Sequence, residues 1–133
     1  MQMQKLRHRY GAFTLVEIMI VVAIIALLAA IALPGFLRAR KRAQASRILE
    51  DLRLLDAAVD QYALNTNKLA GINPVLSDLK PYLKINTQLF NTGRNILNHR
   101  YGPFTVDRFP KVPTRTFRAL SDVADTEFWS PYN

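Results

Sequence analysis

One acidic side chain, Glu17, interrupts an otherwise apolar stretch that runs from Phe13 to Leu33. Moving a carboxylate into hydrocarbon costs at least about 2.5 kcal/mol, so an acid at such a position marks a functional site once a partner can be named. The partner that we expect is a free amine, because opposite charges attract strongly where the dielectric constant is low. The chemistry that Glu17 indicates is therefore charge pairing in an apolar medium.

Catalysis has little support from the remaining side chains. The chain has two histidines, His8 and His99, and neither belongs to a Ser/His/Asp arrangement or a metal-ligand pattern. The sequence therefore predicts a protein that is not an enzyme.

The element that carries Glu17 has the length of a membrane span. Residues 18–33 hold no charge, and across residues 13–37 Glu17 is the sole charge. A helix of this length reaches roughly 37 Å, which exceeds a bilayer core of about 30 Å. A secretory signal peptide, a plain signal anchor and a buried core helix are the alternatives. The run is too long for a signal peptide, and Ala29 to Ala32 offers only a weak cleavage site.

A motif around this element carries a family resemblance. Residues 1–12 are a short leader containing Lys5, Arg7 and Arg9, and Phe13 to Glu17 reads Phe-Thr-Leu-Val-Glu before the apolar run. This arrangement resembles the N-terminus of the type IV prepilin and pseudopilin family, most closely a major pseudopilin of type II secretion.

The resemblance implies a cleavage site, and two registers are open. Family members usually carry Gly directly before the aromatic first mature residue, whereas here Ala12 stands between Gly11 and Phe13. The family also places glutamate fifth in the mature chain and often proline twenty-second. Counting from Phe13, Glu17 is fifth and Pro34 is twenty-second. We therefore expect cleavage between Ala12 and Phe13, with N-methylation of Phe13.

The same resemblance implies a filament subunit. A prepilin peptidase would remove the leader on the cytoplasmic side, leaving a single-pass protein in the bacterial inner membrane with a periplasmic body. An inner-membrane assembly platform would then extract it from the lipid into a homo-oligomeric filament, where the Phe13 ammonium meets Glu17 of a neighbour. The alternative for Glu17 is a carboxylate near the membrane interface that stays hydrated or becomes protonated. The absence of cysteine favours a pseudopilin over a disulfide-bearing pilin.

The helix is expected to continue beyond the apolar run. Pro34 and Gly35 predict a kink or local melting. Apolar residues then recur at spacings of three and four, which predicts a helix to about Asn65. The apolar stripe consists of Ala45, Ile48, Leu52, Leu55, Val59 and Tyr62. The opposite, solvated face consists of Arg47, Glu50, Asp51, Arg53 and Asp60.

Residues 67–133 contain many Gly and Pro residues, so only short elements are expected there. Residues 96–101 and 104–109 read as short strands, and aromatic side chains are expected to cover the stripe: Phe104, Phe109, Phe117, Phe128 and Trp129. The expected fold is α+β and pilin-like, with a long helix packed on a small C-terminal antiparallel sheet. Its parts are a leader (1–12), a transmembrane half-helix (13–37), an amphipathic half-helix (38–66) and a small globular loop-and-sheet region (67–133).

The net charge of +8 raises a second function. Without Lys5, Arg7 and Arg9 it falls to +5 by subtraction, and a basic exported subunit could bind DNA during uptake. The later basic residues are scattered, however, so nucleic acid is an unlikely partner.

A cluster of basic residues from Arg38 to Arg42 follows the apolar run, which opposes the orientation in the membrane that the positive-inside rule would give to a cytoplasmic leader. The family resemblance decides the orientation instead.

The resemblance also raises a calcium site, since pseudopilins often hold this ion near the C-terminus. Asp107, Ser121, Asp122 and Asp125 are the local candidates. Their spacing matches no strong calcium motif, so we expect no cofactor, with calcium as the alternative.

Overall fold

In the computed structural model, which describes residues 11–133, one long helix precedes a set of short ones. Helix α1 spans Leu15–Thr66 and has 52 residues. The remaining helices are α2 (Leu76–Leu79), a 3₁₀ turn (Lys80–Tyr82), α3 (Gln88–Thr92), α4 (Thr114–Ala119) and α5 (Thr126–Trp129). Most of the predicted leader, residues 1–10, lies outside the described residues.

Helix α1 runs without interruption through Pro34 and Gly35. The local melting predicted there is therefore wrong, whereas a kink at Pro34 stays a prediction. The helix ends where it was expected, one residue after Asn65: the Thr66 hydroxyl donates to the Tyr62 carbonyl at 2.6 Å, and Asn67 adopts a left-handed conformation with φ of 48°. Asparagine tolerates this conformation, which commonly terminates a helix.

The chain divides into two compact units, the first ending at Leu37 and the second comprising Arg38–Asn133. In the first unit, every described residue is exposed, and α1 is long and apolar enough there to cross a membrane. The large apolar side chains of residues 11–37 are therefore not covered by any other part of the chain that the structure describes.

The second unit contains the hydrophobic core. Seven buried residues of α1 contribute to the interior: Ala45, Ile48, Asp51, Leu52, Leu55, Ala58 and Val59. The predicted apolar stripe is confirmed, with Tyr62 partly buried at its end. The expectation for Asp51 is wrong, because this residue is only 8% exposed and accepts a hydrogen bond from the Tyr101 hydroxyl at 3.1 Å.

The predicted antiparallel sheet is wrong. Among residues 11–133 the extended pairing amounts to one isolated antiparallel bridge between Arg94 and Arg100. Asn95 explains why residues 96–101 do not form the predicted strand. Its Oδ1 accepts hydrogen bonds from the backbone N–H groups of Leu97 and His99, both at 3.0 Å, and these bonds form a turn. A second turn around Asp107, which has φ of 62°, interrupts the other predicted strand.

Aromatic side chains do cover the stripe. Trp129 and Phe104 are buried, and Phe117 and Phe128 pack partly buried against the core. Phe109 is the exception: it is 55% exposed and packs edge-on against Tyr132. The prediction of an aromatic lid is therefore confirmed for four of the five residues.

Candidate assembly site at the start of the long helix

Thr14 and Glu17 form a reciprocal capping box at the start of α1. The Thr14 N–H donates to Glu17 Oε2 at 2.8 Å, and the Glu17 N–H donates to Thr14 Oγ1 at 3.2 Å. The first turn of a helix has free N–H groups, and this pair satisfies two of them. The Thr-x-x-Glu spacing before an apolar run is a known signature of a helix start, so this role of Thr14 could have been found in the sequence.

The capping box fixes the position of the Glu17 carboxylate. It lies three residues into the helix, where the positive end of the helix dipole favours a negative charge. Phe13 immediately precedes the box and is 80% exposed. Within residues 11–133, no Lys, Arg or His side chain lies within 4.0 Å of Glu17. The carboxylate is therefore held by the backbone and remains accessible to a cation from outside the chain.

The other predicted processing and assembly residues are placed plainly by the structure. Gly11 and Ala12 precede α1 and are exposed, in a segment without regular structure. Pro34 lies inside α1, seventeen residues beyond Glu17 by number, and does not contribute to the capping box. The cleavage position and the methylation of Phe13 stay predictions.

Two carboxylates of the second half of α1 are hydrogen-bonded to tyrosines. Burial raises the pKa of Asp51, and the hydrogen bond from Tyr101 opposes this rise. Burial also raises the pKa of Tyr101, with a further contribution from the charge of Asp51. Asp56 and Tyr132 form a weaker pair at 3.4 Å, and burial raises the pKa of Asp56. These contacts link the core helix to distant parts of the chain.

The calcium candidates already have protein partners. Asp122 Oδ2 lies 2.8 Å from Lys41 Nζ, and this hydrogen bond lowers the pKa of the Asp122 carboxyl group. The Asp125 side chain accepts from the Phe128 N–H at 2.9 Å as the cap of α5. The Ser121 hydroxyl donates to the Arg118 carbonyl at 3.0 Å.

Asp107 lies in its own turn and lines a concavity to which Ser121, Asp122 and Asp125 do not contribute. Among residues 11–133, no three His, Asp or Glu side chains converge on a point that could hold a metal ion. The donor set as placed does not fit calcium, because the candidate side chains do not converge and Asp122 is paired with an ammonium group. The expectation of no cofactor, with calcium as the alternative, stays a prediction.

A buried polar network was missed in the sequence. Asn95 and Thr116 are fully buried, and Asn95 Nδ2 donates to Thr116 Oγ1 at 2.7 Å. The same hydroxyl lies 2.9 Å from His99 Nδ1. Asn95 and Thr116 are far apart in the chain, and no local pattern announces their contact. The network fastens the loop that carries His99 to α4.

Comparisons with known proteins agree with the geometry at the start of α1. The family model of the prokaryotic N-terminal methylation motif matches residues 7–33. The type II secretion system core protein G of Vibrio cholerae serotype O1 is 31% identical over 113 residues, which cover 84% of this chain and 69% of that protein. No solved structure matches the chain significantly.

Other relatives match over shorter segments. The core protein G of Aeromonas hydrophila is 33% identical over 62 residues, covering 47% of this chain and 43% of that protein. The type IV major pilin protein PilE1 of Neisseria gonorrhoeae is 41% identical over 73 residues, covering 51% of this chain and 34% of that protein. The match thus spans less than half the length of these two relatives. Because the Vibrio cholerae match extends over most of both chains, this chain belongs to the type IV prepilin and pseudopilin family.

Proposed function

We propose that this protein is a structural subunit of a type II secretion pseudopilus or a type IV pilus-like filament. The observation that carries the proposal is the combination of a capped Glu17 with an apolar half-helix, residues 15–37, that is exposed throughout in the described part of the chain. The similarity to a type II secretion core protein over 84% of the chain supports the choice of system.

The exposed apolar surface of α1 determines where such a subunit would reside before it assembles. The half of α1 up to Leu37 is long enough to cross a bilayer, so lipid would cover it before assembly. In a filament, the helices of neighbouring copies would replace the lipid. Lipid would therefore surround the apolar half of α1 before assembly, and neighbouring subunits would surround it in the filament.

Glu17 would make this exchange specific. Removal of residues 1–12 would free the Phe13 amine, which a prepilin peptidase pathway would methylate. A neighbour's Phe13 ammonium could then pair with Glu17, and leaving the carboxylate unpaired in an apolar filament core would cost several kcal/mol. Correct register would be the arrangement in which every such charge is paired.

Variants at Glu17 test this role. Gln retains the side-chain oxygen that accepts from Thr14 N–H, whereas Ala removes both the cap and the charge. We expect Glu17→Gln and Glu17→Ala to be processed normally and both to be incorporated into filaments at least about tenfold less than the wild type, in cells with a complete assembly system. Sheared-filament immunoblots measure incorporation, and the membrane fraction measures the processed pool.

A Thr14→Val variant is the matched control. It removes the hydroxyl of the cap and leaves the charge of Glu17 in place. We expect it to assemble much better than Glu17→Gln. Equal assembly of Glu17→Gln and the wild type would refute the charge-pairing role. An N-terminal sequence beginning at Met1, with the peptidase present, would remove the basis for the filament function itself.

A further inference from the structure

Three arginines meet around one concave pocket in the second unit. The pocket has a volume of about 300 Å³, and Arg94, Arg100 and Arg115 line it together with His99. No Asp or Glu lines it, and within residues 11–133 none of the three arginines forms an ion pair. The pocket is therefore a concentration of positive charge without an internal counter-charge.

The backbone holds two of these arginines against each other. Arg94 and Arg100 form the isolated antiparallel bridge, in which directly opposed side chains start about 5 Å apart. Like charges in this position destabilise the pairing. Arg94 Nη1 also donates to the Asn98 carbonyl at 2.9 Å, which anchors its guanidinium group at the pocket. An arrangement that works against stability points to a ligand that offsets the repulsion.

The buried network decides what His99 offers to the pocket. Thr116 Oγ1 accepts a hydrogen bond from Asn95 Nδ2, and its own proton has no partner among the described residues other than His99 Nδ1. A buried hydroxyl proton without a partner is unfavourable, so Thr116 donates to His99 Nδ1. Neutral His99 then carries its hydrogen on Nε2. The remaining ring nitrogen can therefore only donate.

We propose that this pocket binds a phosphate group. Guanidinium groups pair with planar or tetrahedral oxyanions through two parallel hydrogen bonds. A carboxylate has one charge and two oxygens, whereas a phosphate dianion has two charges and at least three oxygens to share among three arginines and the His99 N–H. The charge and the number of donors favour phosphate. The site does not depend on filament assembly.

Calorimetric titration of the full chain in nonionic detergent micelles tests the site. The probe is inorganic phosphate, compared with sodium chloride at equal ionic strength. Loss of one charged hydrogen-bonding side chain weakens binding by about tenfold or more, which we expect for Arg115→Ala. Arg118→Ala is the matched control, because it removes the same charge from the same helix, and Arg118 does not line the pocket. We expect it to weaken binding less than about twofold.

A second arm separates free phosphate from a lipid headgroup. The titration is repeated in nanodiscs of phosphatidylcholine with and without phosphatidylglycerol. If phosphatidylglycerol weakens the apparent phosphate affinity, and Arg115→Ala removes this difference between the two nanodiscs, the lipid headgroup is the source. An unchanged phosphate affinity would identify the free anion. Equal losses in the Arg115→Ala and Arg118→Ala variants would show diffuse attraction and overturn the proposal, as would the absence of any phosphate-specific heat.

Discussion

Removing one buried hydroxyl group, with the variant Thr116→Val, should destabilise the second unit without changing its shape. Thr116 is fully buried, and valine has nearly the same volume. Asn95 Nδ2, also fully buried, would lose its partner at 2.7 Å. An orphaned buried polar group costs about 1–3 kcal/mol. His99 is only partly buried and can turn to water, so its contribution is smaller.

We therefore expect a loss of about 2 kcal/mol in the free energy of unfolding. For a domain of this size, that corresponds to a fall in Tm of roughly 8–16 °C. The assay is thermal unfolding of the full chain in micelles, followed by near-ultraviolet circular dichroism, to which buried Trp129 contributes. Thr116→Ser is the control, because it keeps the hydroxyl and loses one methyl group, which costs about 1 kcal/mol.

A double-mutant cycle makes the test sharper. If the cost arises from an orphaned amide, Asn95→Ala should make Thr116→Val nearly free of further cost. Additive losses, or a Thr116→Ser variant less stable than Thr116→Val, would refute the reasoning.

Three further predictions concern residues of the second unit. Burial raises the pKa of Asp51 above its ordinary value of 3.8, so the folded state binds this proton more tightly than the unfolded state. The free energy of unfolding should therefore fall as the pH rises from the ordinary pKa through the raised pKa. Asp51→Asn should flatten this slope in urea titrations at several pH values, and an unchanged slope would contradict the assignment. Since Lys41 pairs with Asp122, we expect the same Tm in calcium and in a chelator. Because the pair is exposed, Lys41→Ala should lower the Tm only slightly. A rise in Tm with calcium would show that the ion displaces Lys41. Leu52→Ala should cost about 2–5 kcal/mol in chemical denaturation, whereas Leu54→Ala, at a position 45% exposed, should cost far less, and similar losses would contradict the placement of the core.

The accuracy of the sequence predictions depended on the range of the interactions. The helical stripe was predictable because residues three and four apart share one face of a helix, and Ile48 and Leu52 follow that period directly. Glu17 could be singled out in the sequence because a charge among apolar residues is visible locally, and its role in assembly stays a prediction. Its capping partner Thr14 lies three residues earlier, a spacing that is also visible in the sequence.

The remaining features depend on contacts between distant residues. Asp51 was assigned to the solvated face because its partner, Tyr101, lies fifty positions away. The two predicted strands had suitable composition, yet the Asn95 side chain captured the N–H groups that a sheet would have used. The arginine pocket combines residues from a loop and from α4, so only the folded chain brings them together.

All seven buried residues of α1 lie at or after Ala45. A substitution within residues 11–37 therefore changes a side chain that is exposed, and a screen that selects for folding or cellular abundance of the body would report such a change as silent. A screen for filament output would report the same change as severe. The two halves of one helix should consequently accumulate substitutions under different selection pressures, and mutational data from either screen alone would misjudge half of it.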